Sequence, residues 1–197
     1  MRLTPLIAMA CASVALAAGC ASPPPFRFYT LSVTAPPATA ASTLVVALGP
    51  VTVPAMVDRP EIVVRTGPNE VKLDDFNRWA SPLQDNLSRT IAQDLSLILG
   101  TPRVMLTPLP LYAQADYQVA VDVRTFDSAL GESASLDAVW SIRRTADKKT
   151  QTGHTSVRET LDSASYQAMA GAQSRAAATM SRDIAQAIQA LQREAAP

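Results

Sequence analysis

The chain opens with Met1-Arg2, carries no charge from Leu3 to Ala18, and passes through Gly19-Cys20 into Ala21-Ser22-Pro23-Pro24-Pro25. A basic start, a short apolar middle and a small-residue end make up the anatomy of an export leader, here residues 1–19. A helix kept across a membrane would need roughly 20 apolar residues, and this run breaks into prolines first. The leader constrains what the remainder can fold into. Cys11 leaves with it, so of two cysteines only Cys20 stays, and no disulfide can form. Stability must then come from packing, in about 178 residues that suffice for one hydrophobic core but not comfortably for two.

Ala17-Ala18-Gly19-Cys20 resembles the bacterial lipobox, in which the cysteine sulfur receives diacylglycerol, the leader is cut off before it and the new amine is acylated. The alternative is an ordinary leader cut at which Cys20 is incidental. Several acyl chains on one residue anchor a domain stably without insertion of protein, since each buried methylene contributes about 0.8 kcal/mol. Ala21 stands where an aspartate would retain many lipoproteins on the inner membrane, so the expected location is the periplasmic face of the outer membrane. Basic and acidic residues balance at 17 each, without a block of either sign. That excludes the electrostatic footprint of a nucleic-acid binder.

Residues 20–42 read as a lipidated N-terminus, a first strand in Phe26-Arg27-Phe28-Tyr29-Thr30-Leu31-Ser32-Val33 and a proline-rich spacer through Pro36-Pro37 to Ser42. Residues 43–197 read as the domain proper. Thr43–Val53, bent at Gly49-Pro50, and Glu61–Thr66 are strand candidates, and Glu70–Leu73 pairs back across Gly67-Pro68-Asn69. Ser81, Pro82 and Gln84 spell an N-cap, a first helical residue and a capping box. Leu83, Leu87, Ile91, Leu95 and Ile98-Leu99 then form one helical face that stops at Gly100. Arg103–Leu106 is a short strand. Tyr117, Val119, Val121 and Val123 alternate with polar or small residues, as do Leu136, Ala138, Trp140 and Ile142, and Gly153–Leu161 follows. Short turns imply an antiparallel meander. An Ala-rich helix from Ser165 to Arg193 closes the chain. The expected fold is α/β: a single domain with a mixed sheet, an antiparallel C-terminal meander and two long packing helices.

Catalytic patterns are missing. No Gly-x-Ser-x-Gly presents a nucleophile, and the single imidazole, His154, falls in a polar segment read as a solvated loop. One histidine with no free thiol cannot build a transition-metal cage. Asp74-Asp75 and Asp58/Glu61 are better explained as charged ends of turns than as acid–base pairs. No cofactor is expected beyond the covalent diacylglycerol and N-acyl chain on Cys20.

Four runs are similar to the ABC-type transport auxiliary lipoproteins, the PqiC-like family: Phe28-Tyr29-Thr30-Leu31, Gly49-Pro50-Val51-Thr52-Val53-Pro54, Asp58-Arg59-Pro60-Glu61-Ile62-Val63 with Arg65, and Arg78-Trp79-Ala80-Ser81-Pro82-Leu83. The second half matches in pattern only. Ala55-Met56-Val57 departs from the family, where a more aromatic run is expected. The resemblance implies a mixed α/β domain that hydrolyses nothing. It would work beside an ATP-driven transporter and a periplasmic MCE-domain protein, moving lipid between membranes and supporting membrane integrity.

For docking to such a partner, the candidates are Asp58, Arg59, Glu61, Arg78 and Trp79. Arg59, framed by a proline and two acids, offers a planar fork to a partner carboxylate or carbonyl, or clamps its own loop. Trp79 is either an interface anchor or a core side chain at the helix entry. Other readings are a periplasmic lipid-binding carrier, from the 48% hydrophobic composition, and an envelope hydrolase resting on His154. Self-association is open, through edge strands or the Ala-rich helix.

Overall fold

Alternation of large apolar and polar side chains between 117 and 142 becomes the centre of the molecule. The computed structural model describes residues 24–108 and 114–195, so the leader, Cys20 and its lipid lie outside the described residues. A five-stranded sheet has the order β5-β2-β6-β7-β8, with β2 (Val46–Thr52), β5 (Val104–Leu106), β6 (Tyr117–Ala129), β7 (Ser133–Arg144) and β8 (Thr150–Thr160). β2 runs parallel to both neighbours, and β6, β7 and β8 form the expected antiparallel meander. A shift in register between Val123 and Thr125 brings Phe126, not Thr125, into the core series Tyr117, Val119, Val121, Val123.

The expected single sheet is in fact two. A smaller sheet, β1-β4-β3, is made of β1 (Arg27–Tyr29), β3 (Glu61–Gly67) and β4 (Glu70–Trp79). β3 and β4 form the hairpin across Gly67-Pro68-Asn69, and β4 runs on past Leu73, so Asp74 and Asp75 lie inside a strand. Strand β1 stops at Tyr29, shorter than its sequence suggests, because the chain after it leaves the sheet for the helices.

Those helices are α1 (Leu83–Leu99) and α2 (Tyr166–Ala195), packed on each other, with α1 over β2 and β5 and α2 over β7 and β8. Leu83, Leu87, Ile91 and Leu95 are fully buried, as are Met169, Met180, Ile184 and Ile188. Each such side chain contributes about 1.5–3 kcal/mol of burial. Ala172, Ala176, Ala177 and Ala185 are buried too, letting α2 approach closely, so the alanine face is consumed by the core and is not a flat contact for a second copy. Trp140 lies across Gly153, where a Cβ would fall 2.1 Å from its ring.

Two expectations about local structure change. Pro82, not Ser81, is the N-cap of α1 and offers no side-chain oxygen. The Ser81 hydroxyl instead accepts from Arg89 Nη2 at 2.8 Å, and Asp58 Oδ1, from a distant loop, accepts the Gln84 N–H at 3.3 Å. The proline-rich stretch has no regular secondary structure but is not loose. Leu31 N and Thr30 Oγ1 donate to Asn86 Oδ1, Thr34 and Ala35 N–H groups donate to Asp94 Oδ1, Ala38 N to Leu97 O, and Ser42 N to Gly100 O. It is a strap fastened along α1, and two polar residues in the apolar stripe, Asn86 and Asp94, are its buckles.

Candidate docking surface

The segment Pro54–Pro60 joins β2 to β3 and is shaped by its own hydrogen bonds: the N–H groups of Val57 and Asp58 both donate to Pro54 O. Val57 is buried as a plug, while Met56 beside it is 44% exposed. The loop is pinned on two sides, by Asp58 at the α1 N-terminus and by the Trp79 N–H donating to Pro60 O at 2.8 Å. Four of the five candidate residues meet here. Glu61 takes Arg59 Nε at 3.2 Å on one oxygen and Arg78 Nη2 at 3.3 Å on the other. Its own backbone hydrogen bond and the Arg59 guanidinium are the leading causes that hold its carboxyl below the usual range. Two guanidinium groups share one carboxylate in a fixed fork, with Arg59 the more exposed, and Asp58 beside them brings the rim to charge balance.

Trp79 is the exception. Its indole is buried among Val57, Ile62, Leu83 and Phe126, so it supports the rim from beneath and is no exposed anchor. The void in that neighbourhood holds about 10 Å³, barely enough for one water and far below what an acyl chain needs. His154 also stands differently from its expected loop: it lies in β8, exposed, with Nε2 2.8 Å from Asp137 Oδ2 across the β7–β8 pair.

Beside the rim, β4 carries a bulge at Asp75-Phe76-Asn77, since Glu61 pairs with Arg78 while the next residue, Ile62, pairs with Asp74. Asp74 holds it, accepting the Phe76 and Asn77 N–H groups and Asn77 Nδ2 on Oδ1 and the Tyr166 hydroxyl, at 2.9 Å, on Oδ2. Burial pushes the Asp74 carboxyl up, but these donors outweigh it and its pKa is lowered. Burial, followed by the bond to Asp74, raises the Tyr166 phenol. An open cleft of about 840 Å³ lies here, lined by Arg27, Phe28, Tyr29, Asp74, Phe76 and Tyr166 among others. Phe28 and Phe76 of its lining continue into an aromatic edge outside it: the Phe26 and Phe76 rings are 5.7 Å apart, and the Arg78 guanidinium sits 5.0 Å over Phe26. This aromatic edge is not among the candidate docking residues expected from the sequence. Its signal was a strand of alternating aromatics with too few neighbours to cover both faces.

Among the described residues no three His, Cys, Asp or Glu side chains gather as a metal site, and no helix is long and apolar enough to cross a membrane. The arrangement offers shape and charge.

No curated protein matches the sequence. Two crystal structures share the fold: an uncharacterized protein (19% identity, TM-score 0.70, 84% of this chain and 99% of that one) and a DUF330 protein from Xanthomonas campestris (20% identity, TM-score 0.68, 86% and 100%). A PelC dodecamer from Paraburkholderia phytofirmans is more remote, at 12% identity and TM-score 0.41 over 77% of this chain and 92% of that one. The model of the ABC-type transport auxiliary lipoprotein component family matches residues 29–185, which takes in both sheets except the start of β1, all of α1 and most of α2. The chain belongs to that family, whose members are lipoproteins assisting a transporter.

Proposed function

We propose that this protein is the outer-membrane lipoprotein subunit of an ABC/MCE-type lipid transport system. Anchored by Cys20 on the periplasmic face, it docks the periplasmic MCE-domain conduit to the outer membrane and so supports membrane integrity. Its work is positioning; ATP is used by another subunit. The observation that carries the reading is spatial. The Arg59–Glu61–Arg78 rim lies against Phe26, at the end where the chain arrives from Cys20. A conduit that delivers lipid to a bilayer must end at its surface, and a rigid charged fork beside the anchor is suited to catch it there. Family membership supports a transporter partner, and Arg59, least committed to the fold, is the residue proposed to touch it.

The test is an envelope pull-down after crosslinking, comparing the lipidated protein with a Cys20→Ser form. The MCE-domain protein should be recovered with the first and lost or strongly reduced with the second. Recovery with neither overturns the reading.

A further inference from the structure

Phe28 and Phe26 are 64% and 55% exposed, more than any other large apolar side chain among the described residues. Phe28 lies in β1 and Phe26 just before it, two residues apart, continuous with Phe76 and with Arg78, which is in register with Phe28. Folding gives these rings no cover. What covers them is suggested by the length of chain before them: only three residues separate Cys20 from Pro24, and the extended chain spans at most about 14 Å over those four steps. Acyl chains on Cys20 would therefore enter a bilayer within reach of Phe26. The following chain cannot swing this edge away, because the strap from Thr30 to Ser42 is bonded along α1 and, through Ser32 N to Ser174 Oγ, to α2.

We infer that the Phe26–Phe28 edge is a membrane foot, lying at the boundary of headgroups and acyl chains of the bilayer that holds the Cys20 lipid. This rests on the lipid anchoring proposed above and adds an orientation to it. Exposed phenylalanines with an arginine draped over one ring suit that boundary, the rings entering the apolar side while the guanidinium stays with the headgroups. Charge around the edge is balanced, with Arg27, Arg59, Lys72 and Arg78 against Asp58, Glu61, Asp74 and Asp75. The contact is therefore apolar in origin and depends little on anionic lipid or salt. Seated this way, the 840 Å³ cleft opens at the membrane surface and the Arg59 rim stands at its edge.

The lipidated protein, with no other free thiol, takes one environment-sensitive fluorophore on Arg27→Cys or, as reference, on Thr150→Cys. Thr150 lies at the opposite end of α2, a helix of 30 residues and so about 45 Å long, where Lys149 bonds Glu194. Each form is reconstituted in vesicles of phosphatidylethanolamine and phosphatidylglycerol containing spin-labelled lipid. Quenching at 27 should exceed that at 150 several-fold, persist in high salt, and fall to the reference level when Phe26 and Phe28 are both serine. Equal quenching at 27 and 150 in protein that floats with the vesicles overturns the foot alone, as does quenching indifferent to the serines. Protection of position 27 that appears only on adding more protein, without lipid quenching, would assign the edge to a second copy and also overturns it. Protein that fails to float overturns the anchoring itself.

Discussion

Replacing Gly100 separates a strap from a leash. Gly100 ends α1 at φ +66°, with the Thr101 N–H returning to Ser96 O and its own to Leu97 O. An alanine there carries the left-handed penalty of about 1–2 kcal/mol. It also places a Cβ 2.2 Å from Ala40 O, so the strap must move. Moving it strains the Ser42 N to Gly100 O and Ala38 N to Leu97 O bonds, each 2.8 Å long and worth about 0.5–1.5 kcal/mol net. Gly100→Ala should thus lose about 2–5 kcal/mol. Asparagine tolerates the left-handed region but brings the same Cβ, so Gly100→Asn should keep the strap cost and lose about 1–3 kcal/mol. The assay is urea unfolding of the purified protein followed by Trp79 and Trp140 fluorescence; at an m-value of about 2 kcal/mol/M, the alanine midpoint falls by about 1–2.5 M. A Gly100→Asn midpoint equal to wild type would refute the reasoning, since a free proline-rich leash would yield to the Cβ at no cost.

Asp94, Tyr166 and Gly153 each carry a further expectation. Burial raises the pKa of Asp94, so the fold binds its proton more readily than the unfolded chain and this group's contribution to stability falls as pH rises above 3.8. Asp94→Asn, which can still accept from Thr34 and Ala35, should be at least as stable as wild type at pH 7, with an advantage that vanishes at more acid pH; urea midpoints across pH check this, and a less stable variant at pH 7 would contradict it. Tyr166→Phe removes a hydrogen bond to the Asp74 carboxylate and should cost about 1–2 kcal/mol at neutral pH. Asp74 has a lowered pKa, so its contribution is present above 3.8 and lost as pH falls; the gap between variant and wild type should narrow in acid, and a constant gap would argue against the ion's part in it. Gly153→Ala drives a methyl into the Trp140 ring and should cost about 1–3 kcal/mol with an altered near-UV circular dichroism band, whereas an unchanged spectrum would mean the indole is not held as described.

The parts of this fold that were legible in the sequence are those written in local period. Tyr117, Val119, Val121 and Val123 predicted an inward strand face, and Leu83, Leu87, Ile91 and Leu95 a buried helical stripe, because neighbours in sequence decide both. What escaped depends on residues far apart. The helix cap was assigned to Ser81 by its position, but the oxygen comes from Asp58, 26 residues before the N–H it accepts. The strap read as spacer because Pro36-Pro37 with alanines and threonines carries no period, and its acceptors, Asn86 and Asp94, lie on another element. A polar pair interrupting the α1 stripe was the available sign, since a buried carboxylate needs donors. At the candidate surface the short motif around Pro60 puts Asp58, Arg59 and Glu61 side by side in sequence, whereas Arg78 reaches Glu61 only through the β3–β4 pairing. Trp79 and its neighbour Arg78 were read together, but successive strand residues point to opposite faces, and only one of the two could remain outside.

The docking role is tested most directly by a photo-crosslinking amino acid placed at position 59 of the lipidated protein in living cells, followed by mass spectrometry of the adducts. An adduct with a periplasmic MCE-domain protein is expected at 59 and absent when the same probe stands at Thr150. No adduct at 59, or the same products from both positions, would contradict it.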